Sequence, residues 1–293
     1  MKPAQRPGVV VVTGAGGYVG RHVVTAVADL GYHVVAVSRN RSDGDGDPRA
    51  SYAEASVLDP SFDISSVADP HEIASVIHLA WQDGFVHNAP SHMLHLSAHF
   101  RFIEHLSERG VKRIAALGTM HEVGYWEGAI TADTPTNPVT LYGIAKDALR
   151  RSSVVAVGDR SELVWLRAFY ILGDDRRNRS IFAKLLEAAD RGDTHFPFTT
   201  GKTLYDFIDV AELGRQIAVA ATTAGVAGVI NTCTGAPETL ASRVERFIVE
   251  ENLGIQLDYG AFPDRAYDSP GIWGDATAIA SIMAASSFAR DVP

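Results

Sequence analysis

The first apolar run of the chain, Val9-Val10-Val11-Val12, continues directly into Thr13-Gly14-Ala15-Gly16-Gly17-Tyr18-Val19-Gly20. The glycines at 14, 17 and 20 fall between a predicted strand, Val9–Thr13, and a predicted helix over residues 18–30. Gly14 permits a tight turn, Gly17 lets the backbone approach a pyrophosphate, and Gly20 lets the helix pack closely on the strand. A helix N-terminus adds free N–H groups and the positive end of the helix dipole. The segment therefore predicts a phosphate-binding βα turn.

Outward from this turn, short β-branched runs alternate with longer helical patterns. Strands are predicted at residues 32–38, 76–79 and 113–117, and helices at 92–109 and 142–156. Such alternation predicts an α/β protein with a doubly wound parallel sheet, the Rossmann fold.

After residue 167 the pattern is less regular. Helices are predicted at residues 180–191, 210–223 and 240–251, with turn-rich segments between them. We therefore predict a dinucleotide-binding domain over residues 1–166. Residues 167–293 are predicted to form a smaller, mixed substrate-binding region that is interleaved with the sheet edge.

Composition narrows the functional classes. The formal net charge of −9 argues against binding to a nucleic acid polymer or an anionic membrane. No stretch approaches the ~20 apolar residues that a membrane helix needs. The single cysteine, Cys233, excludes an internal disulfide and fits a reducing compartment, so we expect a cytoplasmic protein.

No metal site is expected. His92, His95 and His99 share one helix face, but no carboxylate or cysteine accompanies them. The acidic loop at residues 40–49 has calcium-like spacing, yet Pro48 occupies the position where a calcium loop needs glycine.

The residues at the end of the second predicted strand bear on the choice between NAD and NADP. An NAD site usually carries an acid near Ser38 for the ribose hydroxyls, whereas this chain has Ser38-Arg39. Arg39 can pair with a 2′-phosphate and Ser38 can donate to it, which favours NADP (NADPH) and leaves NAD possible. Asp59 is a candidate acceptor for the adenine amino group. The predicted contacts in the glycine turn are Gly14, Gly16, Gly17, Tyr18, Val19 and Gly20.

Tyr142 and Lys146 stand four residues apart, one turn apart on one helix face. A tyrosine hydroxyl is a poor acid or base at neutral pH, and a neighbouring cation would bring its pKa towards the working range. Lys146 could also hold the nicotinamide ribose. Thr119 follows the predicted strand over residues 113–117 and could hydrogen-bond a substrate oxygen beside Tyr142.

These features together resemble the extended short-chain dehydrogenase/reductase family, which comprises nucleotide-sugar epimerases, 4,6-dehydratases and ketoreductases. The matching segments follow the family's order over about 10–275: the glycine turn, Val76-Ile77-His78-Leu79-Ala80, Thr119, Tyr142 with Lys146, Leu166-Arg167, residues 205–210, residues 265–268 and Asp275.

The resemblance implies roles for individual residues. Thr119 would be the catalytic hydroxyl, Tyr142 the acid/base and Lys146 its partner, with Leu79 and Ala80 beside the cofactor. It also implies a nucleotide-diphosphate sugar as substrate. A homodimer would form through the helices at 92–109 and 142–156.

The chain departs from the family at several positions. His95 stands where the family has an asparagine that supports a proton-relay water. Tyr170 and Tyr205 replace an asparagine and an arginine that often contact the nucleotide diphosphate. Arg265 remains for that role, and Arg179, in a basic cluster with residues 176 and 177, could substitute. The chain also ends soon after Met283 without the family's usual closing helix pattern.

The residues after Thr119 bear on the reaction. A 4,6-dehydratase needs an acid pair there, and this chain has Met120 and His121. Matching Glu122 to the acid would put Met120 at the catalytic hydroxyl, so we discount a dehydratase. Trp81 is predicted to narrow the pocket, Met120 and His121 to contact substrate, and His121 to titrate near neutral pH.

NADP preference and a narrow pocket favour reduction of a 4-keto, 6-deoxy nucleotide sugar by NADPH. A 4-epimerase that retains NAD, another carbonyl substrate, and a non-catalytic NADP-binding regulator are the alternatives.

Overall fold

A computed structural model describes residues 8–40, 46–173, 176, 178, 180–263 and 269–286. The strands are β1 Val9–Thr13, β2 His33–Ser38, β3 Ala50–Glu54, β4 Ile73–His78, β5 Arg113–Thr119, β6 Gly128–Ile130, β7 Glu162–Ala168, β8 Tyr170–Leu172, β9 His195–Pro197, β10 Leu204–Tyr205, β11 Phe207–Asp209, β12 Gly228–Thr232, β13 Glu238–Thr239, β14 Gln256–Asp258 and β15 Gly271–Gly274. The helices are α1 Gly20–Asp29, α2 Ser91–Leu94, α3 Leu96–Glu108, α4 Leu141–Val157, α5 Ile181–Asp190, α6 Val210–Thr222, α7 Leu240–Glu250 and α8 Thr277–Ala284.

A parallel seven-stranded sheet in the order β12-β7-β5-β4-β1-β2-β3 organises the molecule. This order confirms the predicted doubly wound Rossmann fold. A four-stranded mixed sheet, β13-β10-β15-β6, and two strand pairs form the smaller part of the structure. Because β12 lies beyond residue 166 and still joins the main sheet, the C-terminal region contributes an edge of that sheet.

The first strand is buried on both faces, as its unbroken valine run predicts. Val10 and Val12 pack in a core with residues of α1, α6 and α8, and Val11 packs in a second core with residues of α3 and α4. All three valines are fully buried. Helices packed on both faces of the sheet therefore hold β1 in place, and with it the glycine turn at its carboxyl end.

Three local predictions need correction. The helix predicted at 92–109 is two helices, α2 and α3, which meet at His95. The strand β3 was not predicted, because it lies at the sheet edge and its largely exposed side chains carry no buried pattern. The chain also has a closing helix, α8, whose Ile279 is buried in the core beside α6.

The glycine turn is held by close backbone packing. Gly14 has a φ of 71°, and a Cβ there would lie 2.6 Å from the Ala80 backbone nitrogen. A Cβ on Gly20, where α1 begins, would overlap the Gly14 carbonyl oxygen. These two positions therefore require glycine for steric reasons, as the sequence predicted.

The turn after β5 is fixed by a buried carboxylate. Glu122 Oε1 accepts from the Thr119 backbone N–H at 2.8 Å and from Trp165 Nε1 at 2.9 Å. Glu122 Oε2 lies 3.4 Å from Arg167 Nη2. The Thr119 hydroxyl in turn accepts from the His121 N–H at 3.3 Å, which completes a capping box. Glu122 thus points into the protein core, where it holds the strand end that carries Thr119.

None of the helices in the described part of the chain is both long and apolar enough to cross a membrane.

We expect Gly20→Ala to lower the free energy of unfolding by about 1–3 kcal/mol, because the new methyl group overlaps the turn backbone. Urea unfolding without cofactor measures this. Gly254→Ala is the matched control, since a Cβ there meets nothing within 4 Å. Equal stability of the two variants would contradict the packing argument.

We expect Glu122→Ala to lower the free energy of unfolding by about 3–5 kcal/mol, because it leaves the buried Arg167 charge and two buried N–H donors without their acceptor. Glu187→Ala removes an exposed carboxylate from α5 and serves as the control. A loss at residue 122 no larger than that at residue 187 would refute this account of the buried carboxylate.

Candidate active site

Several of the predicted site residues meet at the carboxyl ends of the central parallel strands, where ligands bind in open α/β sheets. The Leu79 N–H donates to the Thr13 carbonyl at 3.1 Å, which joins the end of β4 to the glycine turn after β1. Thr119 ends the next strand, β5. The structure therefore places the glycine turn, residues 79–80 and Thr119 side by side.

Helix α4 brings Tyr142 and Lys146 to this edge. Thr140 caps the helix by accepting from the Gly143 N–H at 3.2 Å, and the Tyr142 N–H donates to the His87 carbonyl at 2.8 Å. A Cβ on Gly143 would overlap the His121 carbonyl oxygen. Only glycine at 143 allows α4 to lie this close to the turn after β5.

The Thr119 side chain lies beside the Tyr142 hydroxyl. Burial raises the pKa of Tyr142, and hydrogen bonding from Thr119 opposes the rise only in part. The sequence predicted that Lys146 and the nicotinamide ring together would lower the pKa of Tyr142. Among the protein's own groups burial dominates, and the nearby Glu122 charge adds to the rise.

Lys146 is buried beneath the site. Its Nζ donates to the Leu117 carbonyl at 2.6 Å and lies 3.8 Å from the centroid of the Trp81 ring. Burial lowers the pKa of Lys146 to about 7, although the Glu122 charge favours its protonated form. Lys146 therefore changes its charge within the pH range in which most enzymes work.

Aromatic rings surround Tyr142. The His87 ring stacks on it at 5.6 Å and 12°, and the ring centroids of His92, Trp81 and His121 lie 5.2, 6.1 and 6.1 Å away. The sequence predicted Trp81 and His121 near the site but missed His87 and His92. Long-range packing brings those two histidines there, and no local motif marks them.

His121 was predicted to titrate near neutral pH, and the structure shows otherwise. Burial and the neighbouring His87, whose ring centroid is 4.2 Å away, lower the pKa of His121 to about 3. His121 is therefore neutral at pH 7 and has no proton to supply from an imidazolium.

The glycine turn fits a dinucleotide. Gly16 and Gly17 are exposed at the N-terminal side of α1, so their backbone is accessible to a phosphate, while added side chains at Gly14 and Gly20 would clash. The Tyr18 hydroxyl donates to the Gly173 carbonyl at 2.7 Å, and Val19 precedes the first residue of α1. Tyr18 thus ties the turn to the end of β8.

The predicted adenosine contacts lie on the surface beyond β2. Arg39 is exposed, and the Ser38 hydroxyl donates to the Asn40 carbonyl at 2.9 Å. Asp59 is exposed and accepts through Oδ1 from the backbone and hydroxyl of Ser61. Their roles towards a cofactor stay predictions.

For the other residues predicted to contact substrate, Met120, Arg179 and Arg265, the structure shows no position in the site. Met120 is buried in an apolar cluster with Val123, Ile130 and Phe169, so its contact with substrate stays a prediction. Arg179 and Arg265 lie outside the described residues. Among the possible substitutes, Arg176 pairs with Asp190 at 2.6 Å. The rings of Tyr170 and Tyr205, which replace the family's polar residues, pack against each other at 4.2 Å.

Within the described ranges, no group of three or more histidine, cysteine or acidic side chains could hold a metal ion. His92 and His99 make hydrogen bonds within the protein, to Trp81 and His78 respectively.

Two characterised relatives match nearly the whole chain. The first is named dTDP-6-deoxy-L-talose 4-dehydrogenase (NAD(+)), from Aggregatibacter actinomycetemcomitans. It is 41% identical over 273 residues, which cover 90% of this chain and 98% of that relative. The second is dTDP-6-deoxy-L-talose 4-dehydrogenase (NAD(P)(+)) from Kitasatospora kifunensis, 25% identical over 89% of this chain and 85% of the relative.

Solved structures share the fold. MoeE5 in complex with UDP-glucuronic acid and NAD superposes with a TM-score of 0.77 at 25% identity, over 94% of this chain and 92% of that one. The UDP-glucose 4-epimerase of Thermotoga maritima gives a TM-score of 0.78 at 22% identity, over 93% and 91% of the two chains, and shows likeness of fold alone.

The profile of one family, described as the NAD dependent epimerase/dehydratase family, matches residues 10–233. This range contains the glycine turn, Thr119, Tyr142 and Lys146. The chain therefore belongs to the NAD dependent epimerase/dehydratase family, the extended short-chain dehydrogenases/reductases that its sequence resembles.

Proposed function

We propose that this oxidoreductase reduces the 4-keto group of a 6-deoxy nucleotide sugar, with NADPH as the hydride donor. The observation that carries the proposal is that Thr119 and Tyr142 lie side by side, with Lys146, near a turn that fits a dinucleotide. The two characterised relatives support the substrate class, since both are named for C4 oxidation of a dTDP-6-deoxy sugar, the reverse of this reduction.

A bound nicotinamide supplies the hydride, which would reach carbon C4 of the sugar. The chain's own residues serve the oxygen. Thr119 donates a hydrogen bond that holds the carbonyl oxygen, and Tyr142 delivers its proton to that oxygen, so that a secondary alcohol forms. Burial raises the pKa of Tyr142 and keeps its proton in place until the carbonyl oxygen becomes basic. The charged form of Lys146 would stabilise the phenolate that is left and hold the nicotinamide ribose.

The site favours this role over the alternatives. The dehydratase needs a free acid beside Thr119, whereas Glu122 is fully buried and engaged with Trp165 and Arg167. A non-catalytic regulator has no need of adjacent hydroxyls at Thr119 and Tyr142. The aromatic groups around Tyr142 argue against a 4-epimerase, because the bulky rings of Trp81, His87 and His92 leave less room for a keto sugar to turn over.

Reductase and epimerase differ in what they consume. With dTDP-4-keto-6-deoxyhexoses as the first substrates, the proposed enzyme oxidises one NADPH for each sugar reduced. An epimerase interconverts two reduced sugars without added cofactor, and that result would overturn the proposal. Absorbance of NADPH and chromatography of the sugars distinguish the two.

The surface of α4 supports a homodimer. Val154 and Val155 are exposed near its C-terminal end and Ile144 near its start, and Leu94 on α2 is also exposed. Apolar side chains on these neighbouring helices would be buried by a second copy of the chain. We propose this surface, together with α3, as the dimer interface, to be checked by sedimentation. The C-terminal region from residue 167 is proposed to hold the nucleotide sugar.

We expect Tyr142→Phe to lower kcat by about 10²–10⁴-fold, because it removes the proton donor and keeps the ring. The Kd for NADPH should barely change. Lys146→Ala should weaken both turnover and NADPH binding, since Lys146 serves the ribose as well. Absorbance gives kcat and cofactor fluorescence gives Kd.

Tyr125→Phe, at an exposed tyrosine, is the control for loss of a hydroxyl. If Tyr142→Phe turns over within a few-fold of this control, Tyr142 is not the proton donor. Because burial keeps His121 neutral, it would not be the replacement.

We expect tighter binding of NADPH than of NADH, because Arg39 can form a charge-assisted pair with the 2′-phosphate. Arg39→Asp should reverse this order by replacing attraction with repulsion. Titration of NADPH and NADH into the unaltered protein and into Arg39→Asp measures the four dissociation constants. Arg191→Asp, at a distant exposed site, is the control for the change in net charge. Equal affinities of the unaltered protein for the two cofactors would disprove the proposed preference.

A further inference from the structure

Lys146 is in contact with the face of an indole ring. Its Nζ lies 3.8 Å from the centroid of the Trp81 ring, well within the range of a cation–π interaction, and it also donates to the Leu117 carbonyl. An ammonium group has three N–H bonds. The carbonyl and the indole face together fix the direction of the ammonium group.

The indole ring is itself held in place. The His99 ring stacks on it with centroids 4.3 Å apart and an angle of 18°. Trp81 Nε1 donates to His92 Nδ1 at 3.0 Å, and His92 Nε2 lies 2.9 Å from the Val86 carbonyl oxygen. A stacked ring and an edge hydrogen bond restrict both the tilt and the rotation of the indole.

The support extends behind His99 to the glycine turn. His99 Nδ1 lies 2.9 Å from His78 Nε2, and His78 Nδ1 lies 2.8 Å from the Thr13 hydroxyl. Burial lowers the pKa of His78 to about 3 and lowers that of His99 as well. Both imidazoles are neutral at pH 7, so the ring behind the indole carries no positive charge that would repel Lys146.

We propose that Trp81 is a positioning residue for Lys146. The face of its indole ring fixes the direction of the Lys146 ammonium group and stabilises its positive charge. This inference rests on the proposed function for its catalytic consequence, but the contact itself is independent of substrate. It assigns to Trp81 a role towards the lysine rather than only a narrowing of the pocket.

The electrostatic need for such a contact is clear from the surroundings of Lys146. The titratable groups that face it are Tyr142 on its own helix, Glu122 on the turn after β5, His78 on β4 and His99 on α3. Among these, Glu122 supplies the negative charge, and it is shared with Arg167. A π face stabilises the ammonium without a second carboxylate, which would raise the pKa of Tyr142 further.

The test is replacement of tryptophan by its fluorinated analogues in the whole protein. Fluorine withdraws electron density from the indole face and weakens cation–π attraction while the size of the ring changes little. The chain has four tryptophans, so the same labelling in Trp81→Phe is the matched control for the other three. Each protein is labelled with ¹³Cε-lysine, and the Lys146 signal is assigned with Lys146→Arg.

The primary measurement is the pKa of Lys146 from the ¹³Cε shift in the cofactor-free protein. Weaker attraction favours the neutral amine, so fluorination should lower this pKa stepwise with the number of fluorines. If turnover depends on the charged form of Lys146, the alkaline limb of the pH profile of kcat should move to lower pH. At pH 8, kcat should then fall about two- to fivefold. In Trp81→Phe, fluorination should change neither quantity.

A Lys146 pKa that does not move with fluorination, or that moves equally in Trp81→Phe, overturns the role of Trp81. Because the NMR titration needs no substrate, it reads the contact even if NADPH-dependent reduction is absent. A moving pKa with no reduction of any keto sugar would instead overturn the proposed function and leave the Trp81 contact in place.

Discussion

The close approach of α4 to the turn after β5 is the constraint on which the site depends. At Gly143 the helix backbone lies so near the His121 carbonyl that a Cβ would overlap it. This contact sets the distance between Tyr142, one residue earlier on α4, and Thr119, two residues before His121. The closeness of these two side chains therefore follows from backbone packing.

Glu122 gives that contact its rigidity on the sheet side. Its carboxylate holds the Thr119 N–H and the Trp165 indole N–H, and its charge is balanced by Arg167. A buried ion pair is a weak source of net stability, but loss of one partner is costly. The same charge favours the protonated forms of Lys146 and Tyr142, so one residue links the position of Thr119 to the charge of the site.

The sequence predicted the features that local rules determine. The glycine turn, the parallel sheet and the candidate residues Thr119, Tyr142 and Lys146 follow from spacing and from alternation of elements, and the structure brings them together. The edge strand β3 was missed because its side chains are largely exposed. The aromatic surroundings of Tyr142 were missed because His87 and His92 reach it only through tertiary packing.

The pKa shifts of Tyr142, Lys146 and His121 share one cause. A sequence shows that Lys146 stands one turn from Tyr142 and that His121 stands near Thr119, but it does not show how deeply each is buried. Desolvation opposes the charged form of every group, so it raises the pKa of Tyr142 and lowers those of Lys146 and His121. Depth of burial, and not proximity along the chain, decided each of these shifts.

The raised pKa of Tyr142 bears on the direction of the reaction. Reduction of a ketone consumes one proton with each hydride, and oxidation of the alcohol releases one. A phenol that holds its proton tightly is prepared to give it to an oxygen that becomes strongly basic as the hydride arrives, which suits reduction. Oxidation needs the phenolate first, and the positive charge of an oxidised nicotinamide beside Tyr142 would favour that form. Tyr142 therefore suits either direction of the reaction, according to the charge of the cofactor.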